Sequence, residues 1–104
     1  MGSPTQLSLK YMREKGFHAE VTEKWVPGAN IRKDLWGFVD ILCLGADGSI
    51  VGVQSTSASN VAARITKIAE SPLVDRVRQA GIKIFVHGWR KVKGRWEVRE
   101  VDVS

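Results

Sequence analysis

Asp40, Gln54 and Thr56 are polar side chains set in the most apolar part of this chain. Asp40 interrupts the run Trp36-Gly37-Phe38-Val39-Asp40-Ile41-Leu42-Cys43-Leu44, and Gln54 and Thr56 close the next run, Ile50-Val51-Gly52-Val53-Gln54-Ser55-Thr56. A carboxylate inside a buried strand is costly unless it is hydrogen-bonded or binds something. The turn Gly45-Ala46-Asp47-Gly48 joins the two runs, and folding them as a hairpin brings Asp40 beside Val53 and Gln54. Side chains alternate across a strand, so Gln54 and Thr56 share a face that Asp40 can also address. A carboxylate, an amide oxygen and nearby backbone carbonyls are hard donors that suit Mg2+ or Mn2+. A metal so placed holds a phosphate and activates a water for phosphodiester hydrolysis. The plainer reading of Asp40 is a structural carboxylate that hydrogen-bonds to strand ends.

The surrounding elements must bring these groups together. Thr5 to Lys15 reads as a helix with Leu9, Met12 and Tyr11 on its apolar side, stopped by Gly16. Phe17 to Trp25 alternates as a first strand, and Val26 to Asn30 is a loop by composition. Ile31 to Asp34 leads into the second strand, Trp36 to Leu44, and the third runs from Ile50 to Thr56. Ser57, Ser59 and Asn60 are capping types before a second helix reaching Ala69; Ser71-Pro72 opens a third, which Gly81 ends. Ile82 to Trp89 and Arg95 to Val103 are the fourth and fifth strands. The order is αβββααββ, an α/β domain with a mixed sheet spanning residues 1–104. On the second helix, Val61, Ile65 and Ile68 form an apolar stripe, and Asn60, Arg64 and Lys67 form a polar one about 100° round the helix. Because this helix follows Thr56 directly, its polar stripe can approach the Asp40–Gln54 pair. Arg32 and Lys33 before the second strand extend the basic surroundings.

Composition narrows the class of partner. The chain has 104 residues and a formal charge of +5, with a pI near 9.7; this balance favours a polyanion. Its single cysteine, Cys43, forms no internal disulfide and reads as a small buried hydrophobe. No apolar run reaches the roughly 20 residues of a membrane span, and no signal peptide opens the chain, so a cytoplasmic location is expected. His18 and His87 lack acid, Ser or Cys partners at a motif spacing. Trp36 and Trp96 read as core, whereas Trp25 and Trp89 end strands and are candidates to stack on bases or a partner chain. Arg90-Lys91-Val92-Lys93-Gly94-Arg95 is a basic hairpin, either a solvated turn or a non-specific phosphate contact. Zinc spacings, phosphate-cradling glycine loops and nucleotide-binding fingerprints are absent.

The opening helix, the meander with Gly37-Phe38-Val39-Asp40 on its second strand, and Val53-Gln54-Ser55-Thr56 closing the third resemble the PD-(D/E)XK nuclease superfamily, the restriction-endonuclease-like fold. Small Holliday-junction resolvases and phage-encoded nucleases are the nearest in look. The resemblance runs from the opening helix and Gly16-Phe17 to Gly94-Arg95-Trp96. The family carries an Asp on strand two and Glu-x-Lys on strand three. Asp40 matches the first, and Gln54-Ser55-Thr56 stands in the second place with both functional residues changed. Gln keeps an oxygen donor and loses a charge. Thr56 lacks the ammonium, which in several branches comes from the following helix; Lys67 is the candidate here, and Arg64 the next. The family's opening helix also supplies a Glu where Thr5 and Gln6 stand, and Asp34, Glu20 or Glu23 are its possible substitutes.

The resemblance implies a Mg2+- or Mn2+-dependent DNA endonuclease, acting on branched or nicked DNA and pairing as a homodimer. Asp40, Gln54 and the Ser55 carbonyl would hold the metal, Lys67 or Arg64 would face the scissile phosphate, and Thr56 would at most bond the attacking water. Arg32, Lys33, Asn60, Arg64 and Lys67 would contact the nucleic acid. Two rivals are a catalytically silent nucleic-acid-binding module of the same fold and a structural dimerisation protein.

Overall fold

Helix α1 (Pro4–Glu14) starts where Ser3 caps it, the Ser3 Oγ accepting the Gln6 N–H at 3.2 Å with Pro4 in the first turn. Gly16, at φ 96°, ends it in the left-handed conformation that favours glycine. In this computed structural model residues 3–29 and 31–104 are described, Arg32 by its backbone only. After α1 come β1 (His18–Val21), β2 (Lys24–Val26), β3 (Ile31–Lys33), β4 (Ile41–Leu44) and β5 (Ile50–Ser57). A short 3-10 turn (Ala58–Asn60) leads into α2 (Val61–Ala69), followed by α3 (Val74–Gln79), β6 (Ile82–Val92) and β7 (Arg95–Asp102).

The main sheet has the order β1-β4-β5-β6-β7. Only β5 and β6 run parallel, joined through α2 and α3; the other neighbours are antiparallel. A five-stranded mixed sheet with three helices is the α/β architecture expected from the sequence. The chain path differs at two points, one of them residues 36–39, read as the start of the second strand but closed into a bridged turn ahead of β4. At the other, the end of the first strand and the lead-in to the second instead form a separate antiparallel hairpin, β2–β3, which pairs Lys24 with Lys33 and Val26 with Ile31. The order is therefore αβββββααββ. Thr22 and Glu23, between β1 and β2, release the chain from the main sheet, so alternation across Phe17–Trp25 concealed two strands belonging to different sheets. Asn30, assigned to the loop, lies outside the described residues.

Each face of the sheet has its own core. Leu9 and Met12 of α1 pack on Ala19, Ile41, Cys43, Val51 and Val53. On the opposite face Val61 and Ile68 of α2, with Val74 and Val77 of α3, pack on Phe38, Val39, Ile84 and Val86. The apolar stripe expected on α2 thus faces the sheet, with Ile65 partly buried at its edge. Gly88 allows the close approach: a Cβ there would collide with Val61 and lie 3.1 Å from the Ala58 backbone. Burial pushes the Cys43 thiol up to about 12, as suits an inert core side chain.

Helix α1 is also tied to the sheet by polar contacts. The fully buried Ser8 Oγ lies 2.7 Å from Ser55 Oγ on β5, 2.9 Å from His87 Nδ1 on β6 and 2.8 Å from Trp89 Nε1. His87 Nε2 is 2.8 Å from Glu100 Oε2 on β7. Burial lowers the His87 pKa and so favours the neutral ring, an effect that Glu100 only partly opposes. Neutral His87 then donates from Nε2 to Glu100 and accepts the Ser8 hydroxyl proton at Nδ1, while Ser8 accepts from Trp89 and Ser55. Trp89 is accordingly buried, not a free stacking platform, whereas Trp96, expected in the core, is 41% exposed. Both tryptophans are on strands and on the α1 side of the sheet, but Trp89 is covered by the helix and Trp96 lies at its margin, nearer the β6–β7 turn.

Ser8→Ala leaves the Trp89 N–H without its acceptor in a dry interface and breaks the Ser55 contact. A loss of about 2 kcal/mol in urea unfolding is expected; an unchanged midpoint would show that these bonds contribute no net stability.

Candidate metal centre

Asp40 stands just ahead of β4, one residue before the strand proper. Its N–H donates to the Val53 carbonyl at 2.8 Å, so the residue follows the β4–β5 register and meets Gln54, as expected from the sequence. Its side chain is 2% exposed. Asp40 Oδ2 accepts the Gln54 Nε2–H and the Ser55 backbone N–H, both at 2.8 Å. These two bonds give the carboxylate a fixed seat at the sheet's end.

Two more carboxylates arrive by backbone geometry. Leu35 and Val39 exchange N–H···O bonds of 3.0 and 2.9 Å across a tight turn, so Asp34 and Asp40 flank a bonded pair. Trp36 at φ 58° and Gly37 at φ 83° make that turn. A left-handed Trp is strained by roughly 1–2 kcal/mol, which the bridge must offset. From the other side, the Thr22 N–H donates to the Asp40 carbonyl at 2.8 Å and the Thr22 hydroxyl to the Val39 carbonyl at 2.9 Å. This places Glu23, the next residue, at the same point. One carboxylate oxygen from each of Glu23, Asp34 and Asp40 lies within 4.8 Å of the others.

Like charges so close to a buried site resist ionisation. Burial, chiefly, raises the Asp40 pKa to about 7; the neighbouring Asp34 raises it further, and the Ser55 and Gln54 donors oppose the rise. Gln54 is 1% exposed, and its Oε1 has no hydrogen-bond partner among the described residues. A buried carbonyl left so costs about 1–3 kcal/mol. Three carboxylates and a spare amide oxygen are an all-oxygen donor set. They fit a hard divalent cation such as Mg2+ or Mn2+, which would neutralise the crowded charge.

Lys67 reaches this cluster from α2. Its Nζ lies 3.3 Å from Asp34 Oδ2, with the Asp34 side chain 13% exposed and that of Lys67 44% exposed. The expected cation on the following helix therefore stands at the carboxylates. Arg64 is half-buried on the same helix, whereas Asn60 donates to Ser57 Oγ at 3.0 Å and is occupied locally. Ser55 meets Asp40 through its N–H, where the sequence suggested its carbonyl as a ligand. Thr56 is buried at 5% exposure. Glu20 is drawn away from the cluster, 3.3 Å from His18 and 3.9 Å from Arg13. Lys33 is exposed on β3, and the Arg32 side chain lies outside the described residues.

The sequence reading missed the Ser8–His87–Glu100 chain, whose members are separated by up to 92 positions and converge only when β6 crosses beneath α1. Its composition matches a hydrolytic triad, but Ser8 is fully buried with three partners, which leaves no approach for a substrate carbonyl. This chain instead extends support to Ser55, whose N–H holds Asp40. Comparison with protein-family models, curated proteins and solved structures finds no match to this chain.

A raised carboxylate pKa means that the folded state favours protonated Asp40. That contribution to stability is complete below about pH 4 and lost as pH rises through about 7. Asp40→Asn keeps an acceptor for the Ser55 N–H without the charge. In EDTA the variant's stability relative to the wild type should rise by about 2–3 kcal/mol between pH 5 and pH 8. Urea melts at the two pH values check this; a wild type that gains on the variant as pH rises would contradict it.

Proposed function

We propose that this protein is a metal-dependent nuclease that hydrolyses phosphodiester bonds in DNA at the Glu23–Asp34–Asp40 cluster. The observation that carries the reading is the convergence of these three acids beside the unpartnered Gln54 Oε1, with the Lys67 ammonium against Asp34. It deepens the resemblance to the PD-(D/E)XK nucleases. Asp40 and Gln54 hold the places of that family's Asp and Glu, Asp34 and Glu23 supply acidity absent from the opening helix, and Lys67 replaces the cation missing at Thr56.

Glu23, Asp34, Asp40 and Gln54 would hold Mg2+ or Mn2+. When bound, the ion supplies charge neutralisation at a phosphate and a water acidified for attack. The residues themselves divide the remaining work. Ser55 and Gln54 fix the Asp40 carboxylate, and the tight Asp34–Asp40 turn fixes its neighbour. Lys67, partly exposed, presents positive charge at the rim where a substrate phosphate would lie. The excess of basic residues over the chain favours the polyanion.

Calorimetry with Mn2+ should give one site per chain that Asp40→Asn removes. Linear, flap and four-way DNA incubated with Mg2+ or Mn2+ should be cut, and Asp40→Asn should reduce the rate by at least about 100-fold. Lys67→Ala should retain the metal and lose roughly 10- to 1,000-fold in rate. DNA binding without metal uptake or cleavage would replace this reading with that of a silent binding module.

A further inference from the structure

On the α2 side of the sheet lies a cleft of about 500 Å3 that the carboxylate site does not include. Arg90, Glu97, Val98 and Arg99 of β6 and β7 form one wall, and Gly88 and Ala58 the remainder. We propose that this cleft is a second phosphate-binding site, which holds the nucleic-acid backbone away from the point of cleavage. The inference rests on the nuclease reading for the identity of the polyanion, but not on metal at the carboxylates.

Three observations support it. The first is chemical: two guanidinium groups face one concavity, and planar Arg donors match phosphate oxygens. The second is availability. Arg99 is exposed and makes no ion pair or side-chain hydrogen bond among the described residues. Arg90 Nη2 stands 3.6 Å from Glu97 Oε1, both side chains more than half exposed, so the pair is not locked by a hydrogen bond. The third is position. Gly88 pairs with Thr56 on one side and Arg99 on the other, while Asp40 bonds to Val53 at the same end of β5. Arg99 and Asp40 therefore lie at one end of the sheet, separated by three strand steps. At about 4.8 Å per step, with Arg99 also two residues further along the strands, this is about 16 Å, or about five nucleotides at the 3.4 Å rise of one duplex strand. A strand whose phosphate lies at Lys67 can thus continue over the sheet to the arginines.

The test is made on full-length protein carrying Asp40→Asn, in EDTA, so that neither metal nor cleavage contributes. Binding of a fluorescent 20-mer, single-stranded and duplex, is followed by anisotropy over a salt series. Arg90→Ala/Arg99→Ala should weaken binding about 10-fold and reduce the slope of log K against log salt by 1 to 2. Glu97→Gln, which removes the one anion in the cleft wall, should tighten binding about two- to threefold. Far-ultraviolet melts confirm that these exposed variants remain folded. Unchanged affinity and slope in the double arginine variant, with the parent still binding, overturn the cleft proposal and leave the carboxylate site as it stands. If metal uptake and cleavage are absent in the wild type yet the arginine variant still loses binding, the nuclease reading falls and the cleft proposal holds. No binding of either DNA by the parent overturns the cleft proposal outright.

Discussion

The Asp40 carboxylate is a charge held at the end of a sheet where water hardly reaches. Burial makes that charge costly, and the Ser55 N–H and the Gln54 amide offset only part of the cost. Much of the surrounding structure can be understood as a response to this single constraint. β5 is central, flanked by β4 and β6, and its backbone amide at Ser55 reaches the carboxylate beside β4. The strained Trp36–Gly37 turn persists because the Leu35–Val39 bridge holds it closed. Far from lowering the local charge, that turn adds Asp34, so the seat is built around repulsion.

Support for the seat extends through the sheet to its other face. Ser55 gives its N–H to Asp40 and its hydroxyl to Ser8, and Ser8 is gripped by His87 and Trp89. Tyr11 lies edge-on to both aromatic rings, 5.4 Å from His87 and 6.0 Å from Trp89 between centroids. One residue of β5 thereby joins two chemically different environments: an electrostatically crowded rim on one face and an aromatic, hydrogen-bonded packing of α1 on the other. Rigidity at Ser55 is what the rim requires, and the α1 side supplies it.

Much of this was legible in the sequence because it is local. The Gly45–Gly48 turn fixes the β4–β5 register, and that register alone brings Asp40 to Gln54. The i, i+4, i+7 stripe on α2 identified its buried face, and the parallel polar stripe placed Lys67 on the side of the carboxylates. What escaped depends on chain paths that no spacing encodes. Glu20 and Glu23 were equivalent candidates in sequence, yet the chain leaves the sheet between them, so Glu20 turns to Arg13 and His18 while Glu23 turns to Asp40. Trp89 and Trp96 were exchanged for a similar reason. Both lie on strands, but only Trp89 sits beneath α1, and a strand pattern does not say where a helix from the far end of the chain will lie.

The β2–β3 hairpin gives the rim an unusual construction. Glu23 enters it, Asp34 leaves it, and between them the chain rises into a small ladder with Trp25 and Ile31 exposed. Its two feet are fixed by the Thr22 and Leu35–Val39 bonds, whereas its crown touches little of the main sheet. Such an arrangement separates what must stay constant from what can vary. The two carboxylates are thus positioned by bonds at the base of the hairpin, not by the ladder between them, so their separation does not depend on the length of that ladder.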